Sequence, residues 1–246
     1  VELTAELAEA RIRSLVEEQR FFETHWLATE GLIDIDRFSA MFGIFGLAEC
    51  VNLLMAHDGR DRDGAARYGH DAEADALAVR LVERVAELVA DRPMPYCAGG
   101  ADRCYLHSQG GIDLDEAVTA GTRIPVGDEP DMLQHLATCA PHHHLFAAGI
   151  SDIFHVDETA VRNPMAVVDI IRGAFSSGMR DFTFNLDGNE FVRITGYLVR
   201  KSDLVTIADE GAVRHSSDHL AAGSENAYHL TERAVKRVGC HERSPQ

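Results

Sequence analysis

Residues 191–199 read Phe-Val-Arg-Ile-Thr-Gly-Tyr-Leu-Val. Val192, Ile194, Thr195, Tyr197, Leu198 and Val199 all favour extended backbone. Gly196 interrupts them. Glycine weakens a strand because it has no side chain to pack and more backbone entropy to lose. A fold that places glycine here uses it for a bulge, a close backbone approach, or chemistry that a Cβ would obstruct.

The rest of the chain bounds the answer. Its 246 residues suit one large domain or two small ones. Residues 3–22 read as an amphipathic helix with Ala8, Ile12, Leu15 and Val16 on one face. The apolar run 38–55 reads as a buried strand over 41–48 that continues into a helix near Glu49. Residues 57–64 form a polar loop. Leu77, Leu81, Val82, Val85, Leu88 and Val89 recur at helical spacing over 73–90, and Asp91 and Pro93 end that helix. From 94 to 150 the chain reads as loops around short strands. Asn163 and Pro164 open a helix over 163–177, with Val167, Val168, Ile171, Ala174 and Phe175 as its buried stripe. Phe182, Phe184 and Leu186 alternate as a strand, and Asp187-Gly188-Asn189 forms a turn. A polar loop (209–224) and a short helix near 225–238 close the chain. Strands mixed with helices predict an α/β fold.

Composition excludes several classes of function. A net charge of −17 repels phosphate backbones, so no nucleic-acid partner is expected. No run of about 18 apolar residues exists and no membrane partner is expected. The N-terminal stretch has no basic-then-apolar signal pattern, which predicts a cytoplasmic protein. The chain begins with Val1, not Met, which reads as a fragment of a longer chain or as a processed N-terminus, and the sequence does not separate the two. The cysteines are Cys50, Cys97, Cys104, Cys139 and Cys240, with no CxxC pair, so a disulfide framework is not expected.

Other constellations are weak. Cys139-Ala-Pro-His142-His143-His144 brings metal-binding residue types together. Consecutive histidines cannot all face one ion on a regular element, and the stretch reads as a polar loop or helix entrance. No metal site is expected. His57 to His70 imitates a calcium loop, but Gly59 and His70 fall where ligands are required. There is no phosphate-loop lysine, dinucleotide fingerprint or nucleophile elbow. Arg123, in Gly-Thr-Arg-Ile-Pro-Val-Gly, is a candidate anion holder.

At Gly196 the chain resembles the glycyl radical enzymes. Their signature is an Arg-Val-x-Gly-Tyr-like pentapeptide near the C-terminus, and here it reads Arg193-Ile194-Thr195-Gly196-Tyr197. It lies about 50 residues from the end, behind "NPMAVVDIIRGAFSSGMRDFTFN". "GIFGLAECVN" and "AGTRIPVGDEP" resemble the YjjI-like branch. The resemblance implies the C-terminal half of a ten-stranded α/β barrel, with a partial barrel core over 1–140 and a glycine radical domain over 141–246. It implies a backbone radical stored at Gly196. Without a Cβ, the Cα flattens freely to delocalise an unpaired electron into the flanking amides.

The resemblance also implies that a radical-SAM activase, using S-adenosylmethionine and an iron–sulfur cluster, installs the radical, with no cofactor bound to this chain. The glycyl radical then generates a cysteine thiyl, which abstracts hydrogen from a small-molecule substrate. Cys50 is the candidate thiyl residue, with Cys97 and Cys104 behind it. A cysteine in preceding sequence is the alternative. Two other readings remain: a non-catalytic spare part that docks on a larger partner, and an anaerobic ribonucleotide reductase-like enzyme.

Overall fold

The computed structural model describes the chain except residues 60–63, 65, 109–117, 126, 187, 189, 195–196 and 211–246, and except the side chains of 161, 192–194, 197–199, 204 and 207–210. The expected tail loop and the helix near 225–238 therefore lie almost wholly outside the described residues. Two compact units emerge. One comprises Val1–Asp152 and Ile171–Asp181, the other Ile153–Ile170 and Phe182–Gln246.

The first unit opens with α1 (Glu2–Arg13), which widens into a π-helical turn over Ser14–Glu18. The single helix expected over 3–22 is broken at Arg20. Its left-handed backbone (φ 51°) cannot propagate a right-handed helix. Short helices α2 (Phe21–Thr24) and α3 (Trp26–Thr29) follow. Next comes β1 (Ala40–Ile44), then α4 (Leu47–His57). Strand and helix both begin earlier than expected because Gly46, at φ 74°, turns the chain between them. A Cβ on Gly46 would lie 2.8 Å from Val118 Cγ1, so the turn needs glycine for space as well as for φ.

Helix α5 (Ala72–Ala90) matches the expected 73–90. Asp71 caps it, its Oδ1 accepting the Glu73 and Ala74 N–H groups at 2.9 and 3.0 Å. The most deeply buried face is Ala74, Ala78, Val82 and Val89 rather than the leucines, and Leu88 is exposed. Small residues bring a helix axis close to its neighbours and leave longer side chains at the margins. After α5 the chain enters β2 (Cys104–Ser108), which pairs with β1 in parallel, Phe42 opposite Leu106. Parallel partners require a crossover, and α4 and α5 supply it. Helix α6 (Met132–Cys139) and a 3-10 turn over Ala140–Leu145 occupy a region expected to be loops. Asp131 caps α6 by accepting from Leu133 and Gln134 N–H.

Strand β3 (Asp152–Val156) leads into the second unit, followed by α7 (Thr159–Arg162) and α8 (Pro164–Ser176). Ala174 is the buried residue of α8, while Phe175, expected in the buried stripe, is exposed. Strand β4 (Phe182–Leu186) pairs with β3, and the Phe154 ring stands edge-on to Phe182 at 5.7 Å between centroids. Gly188 turns the chain at φ 84°. Strands β5 (Phe191–Ile194) and β6 (Tyr197–Arg200) pair antiparallel, and α9 (Lys201–Glu210) follows. The extended run of the sequence is thus two strands, not one. Among the described residues the sheets are two-stranded and no closed barrel is present. The α/β class holds.

Replacing Asp71 by Ala removes both cap hydrogen bonds of α5. It should lower stability by about 1 kcal/mol, with Asp71→Asn nearly neutral. Urea unfolding of the two variants checks this.

Candidate functional site

Gly196 and Thr195 lie outside the described residues. What the structure gives is their frame: Ile194 and Tyr197 are register partners at the ends of β5 and β6. Any chemical role of Gly196 rests on the flanking sequence.

Cys50 lies in the first turn of α4 and is exposed. It is on a helix, not on the loop that a barrel-end position implies. Its N–H donates to Gly46 O at 3.0 Å, so the Gly46 turn sets its position. The adjacent Glu49 is fixed more firmly. Its Oε1 accepts from Thr119 N at 2.9 Å and from the Thr119 hydroxyl, while Gly46 N–H donates to Thr119 O at 2.8 Å. Residues 118–119 thereby strap the helix start at the carboxyl end of β1. Sites in parallel α/β folds collect at that end of the strands.

The other described thiols are buried. Burial raises the Cys97 and Cys139 thiols above their ordinary range and pushes Cys104 up to about 11. Cys240 lies outside the described residues. Arg123 is buried, and its Nε donates to Ser151 O at 3.0 Å, so at least part of its guanidinium holds the backbone.

The largest departure from the sequence reading is at 139–145. The stretch expected to be a polar loop or helix entrance is core, at the end of α6 and in the turn after it: Cys139, His142 and His143 are fully buried. Each ring has a built environment. His143 Nδ1 accepts the Arg180 N–H at 3.0 Å, which leaves the proton on Nε2, and Nε2 donates to Asp152 Oδ2 at 2.8 Å. The Tyr68 hydroxyl donates to Thr122 O at 2.7 Å, so its contact with His142 Nε2 at 3.2 Å is one in which the histidine donates. His142 Nδ1 is then a buried acceptor, and it has no hydrogen-bond partner.

Asp75 on α5 ties α6 to this cluster through Thr138 Oγ1 at 2.8 Å and Gln134 Nε2 at 3.2 Å. Around the same helix, donor atoms of His135, Cys139 and Asp152 lie within 4.8 Å of one another. The sequence signal for the helix was Asp131 ahead of Leu133 and Leu136, and the His135/Cys139 spacing places both on one face. Asp152, distant in sequence, gave no signal.

A family model described as "Glycyl radical enzyme YjjI-like" matches residues 1–236. The chain is 44% identical over 240 residues to "Uncharacterized protein YjjI" of Escherichia coli (strain K12), covering 98% of this chain and 43% of that protein. It is 32% identical over 229 residues to an "Uncharacterized protein" of Haemophilus influenzae, covering 92% of this chain and 44% of that protein. The chain thus spans less than half the length of these relatives. No helix among the described residues is long and apolar enough to cross a membrane.

Burial lowers the His142 pKa from its ordinary 6.5 to about 4. Between those values the unfolded chain binds a proton that the folded chain refuses, so stability falls as the pH drops through that window. The loss should reach roughly 3 kcal/mol. His142→Gln, which keeps a donor toward Tyr68, should flatten the slope. Urea midpoints measured from pH 7 to pH 4 check it.

Proposed function

Since the chain belongs to the YjjI-like glycyl radical enzyme family, we propose that it is the C-terminal part of a glycyl radical enzyme that stores its radical at Gly196. The observation that carries this reading is Arg193-Ile194-Thr195-Gly196-Tyr197 within a family match over residues 1–236. In this reading residues 1–140 are the partial barrel core and residues 141–246 the glycine radical domain.

The chemistry balances in hydrogen atoms. A radical-SAM activase, which holds the iron–sulfur cluster and S-adenosylmethionine, takes one hydrogen atom from the Gly196 Cα. The glycyl radical recovers a hydrogen atom from the Cys50 thiol and leaves a thiyl. The thiyl takes a hydrogen atom from a small-molecule substrate, and the product radical takes one back from the thiol. The chain itself supplies a Cα without a Cβ and an S–H group. It needs no resident metal for these steps, and the protein works in the cytoplasm under anaerobic conditions.

The parallel β1–β2 pair supports the barrel part of the reading. Parallel strands are stable when covered on both faces and continued at their edges. Here Met41 of β1 is 55% exposed and Phe45, just after it, 54%. Further strands and helices of a longer chain would cover them. A spare-part protein that docks on a larger partner is the second reading. Nothing in the family match points to an anaerobic ribonucleotide reductase.

Anaerobic incubation with activase, S-adenosylmethionine and reductant should give an EPR doublet from the one remaining α-hydrogen. Gly196→Ala should lose it, and admitted air should cleave the backbone at residue 196, as read by mass spectrometry. A silent spectrum from both this chain and a full-length relative treated with a competent activase would end the radical reading.

Cys50 has its own test. Thiol hydrogens exchange with solvent, so a radical that passes to sulfur and back draws deuterium onto the glycine. In D2O the doublet should collapse to a singlet, and in Cys50→Ser it should persist. Collapse in Cys50→Ser would move the thiyl to another cysteine.

A further inference from the structure

One cluster in the first unit has no part in the radical chemistry. His135 and Cys139 stand four residues apart on α6 and project from one face. Asp152 opens β3. One donor atom from each lies within 4.8 Å of the others, and all three residues are buried. Asp152 is 0% exposed. Its Oδ2 accepts from His143 Nε2, the Cys139 thiol is close enough to donate to the same carboxylate, and Oδ1 has no N–H or O–H donor. A buried carboxylate with so few donors is costly to keep charged unless a cation meets it.

The donor set selects among cations. Thiolate and imidazole suit zinc and its borderline-soft neighbours, while magnesium and calcium prefer oxygen alone. One thiolate and one carboxylate together offset a divalent charge, so the loaded site is neutral and tolerates burial. Donors around tetrahedral zinc lie roughly 3.4 Å apart, so these close by at most about 1.5 Å. His143 supplies the supporting contact that such sites use. With its Nδ1 occupied by Arg180 N–H, its Nε2–H holds Asp152 Oδ2 and leaves Oδ1 for the ion.

We propose that His135, Cys139 and Asp152 form a binding site for a divalent transition-metal ion of the zinc type, with His143 positioning the carboxylate and water in the fourth place. Binding replaces the thiol proton, which leaves to solvent, and no electron is transferred. The site joins α6 to the start of β3. It is independent of the Gly196 radical, and the histidine run that caught the eye in the sequence supplies its support rather than its ligands.

Cobalt(II) is the probe. The chain, freed of metal with a chelator and shown to be folded by circular dichroism, is titrated with cobalt(II). One equivalent should bind with intense tetrahedral visible bands and a sulfur-to-cobalt charge-transfer band, and zinc should displace it. Cys139→Ser should lose the charge-transfer band. Asp152→Asn should bind at least tenfold more weakly, and His143→Gln roughly tenfold more weakly. Cys50→Ser should leave the spectrum intact. X-ray absorption of the zinc-loaded wild type needs no variant to fold and should show one sulfur ligand. No binding by the folded chain, no sulfur ligand, or a charge-transfer band that survives in Cys139→Ser would overturn the site.

Discussion

One imidazole ties together the ends of the two chain segments that make up the first unit. His143 accepts from the backbone of Arg180 and donates to the carboxylate of Asp152. Asp152 is the last residue of the first segment of that unit, and Arg180 is next to the last of its second. The ends of both segments are thus fixed to one imidazole with a single tautomer. Replacing that ring frees a buried carboxylate and a backbone N–H at once, which is why it cannot be treated as one hydrogen bond lost among many.

The other end of the unit is organised by backbone geometry. A strand ends, Gly46 turns in the left-handed region, and a helix begins within three residues. Thr119 accepts the Gly46 N–H and supplies two donors to Glu49. The position of Cys50 follows from these contacts rather than from contacts of its own. A thiol presented by its neighbours' hydrogen bonds can be exchanged for another side chain without disturbing them.

Much of this was legible in the sequence, and the misses have physical causes. Helix α5 was readable to within one residue because its period is long and Asp91 and Pro93 mark its end. The α1 break was not, because Arg20 in a left-handed conformation has no sequence signature. Helix α6 was overlooked because eight residues carry too little periodicity, although Asp131 marked its start. The buried histidines were read as polar because their partners, Tyr68, Asp152 and Arg180, are distant in sequence. The extended run at 191–199 was readable as strand but not as a hairpin. The glycine pattern within it, by contrast, pointed to the family through residue order alone.

The first unit is built from two separated stretches of chain, with residues 153–170 of the second unit between them. This arrangement bears on inheritance. A single exchange inside 153–181 divides both units between two parents. An exchange before 153 keeps the second unit whole only by carrying residues 171–181 of the first with it, and one after 181 keeps the first whole only by carrying residues 153–170 of the second. Each unit can therefore be inherited whole only together with a piece of the other.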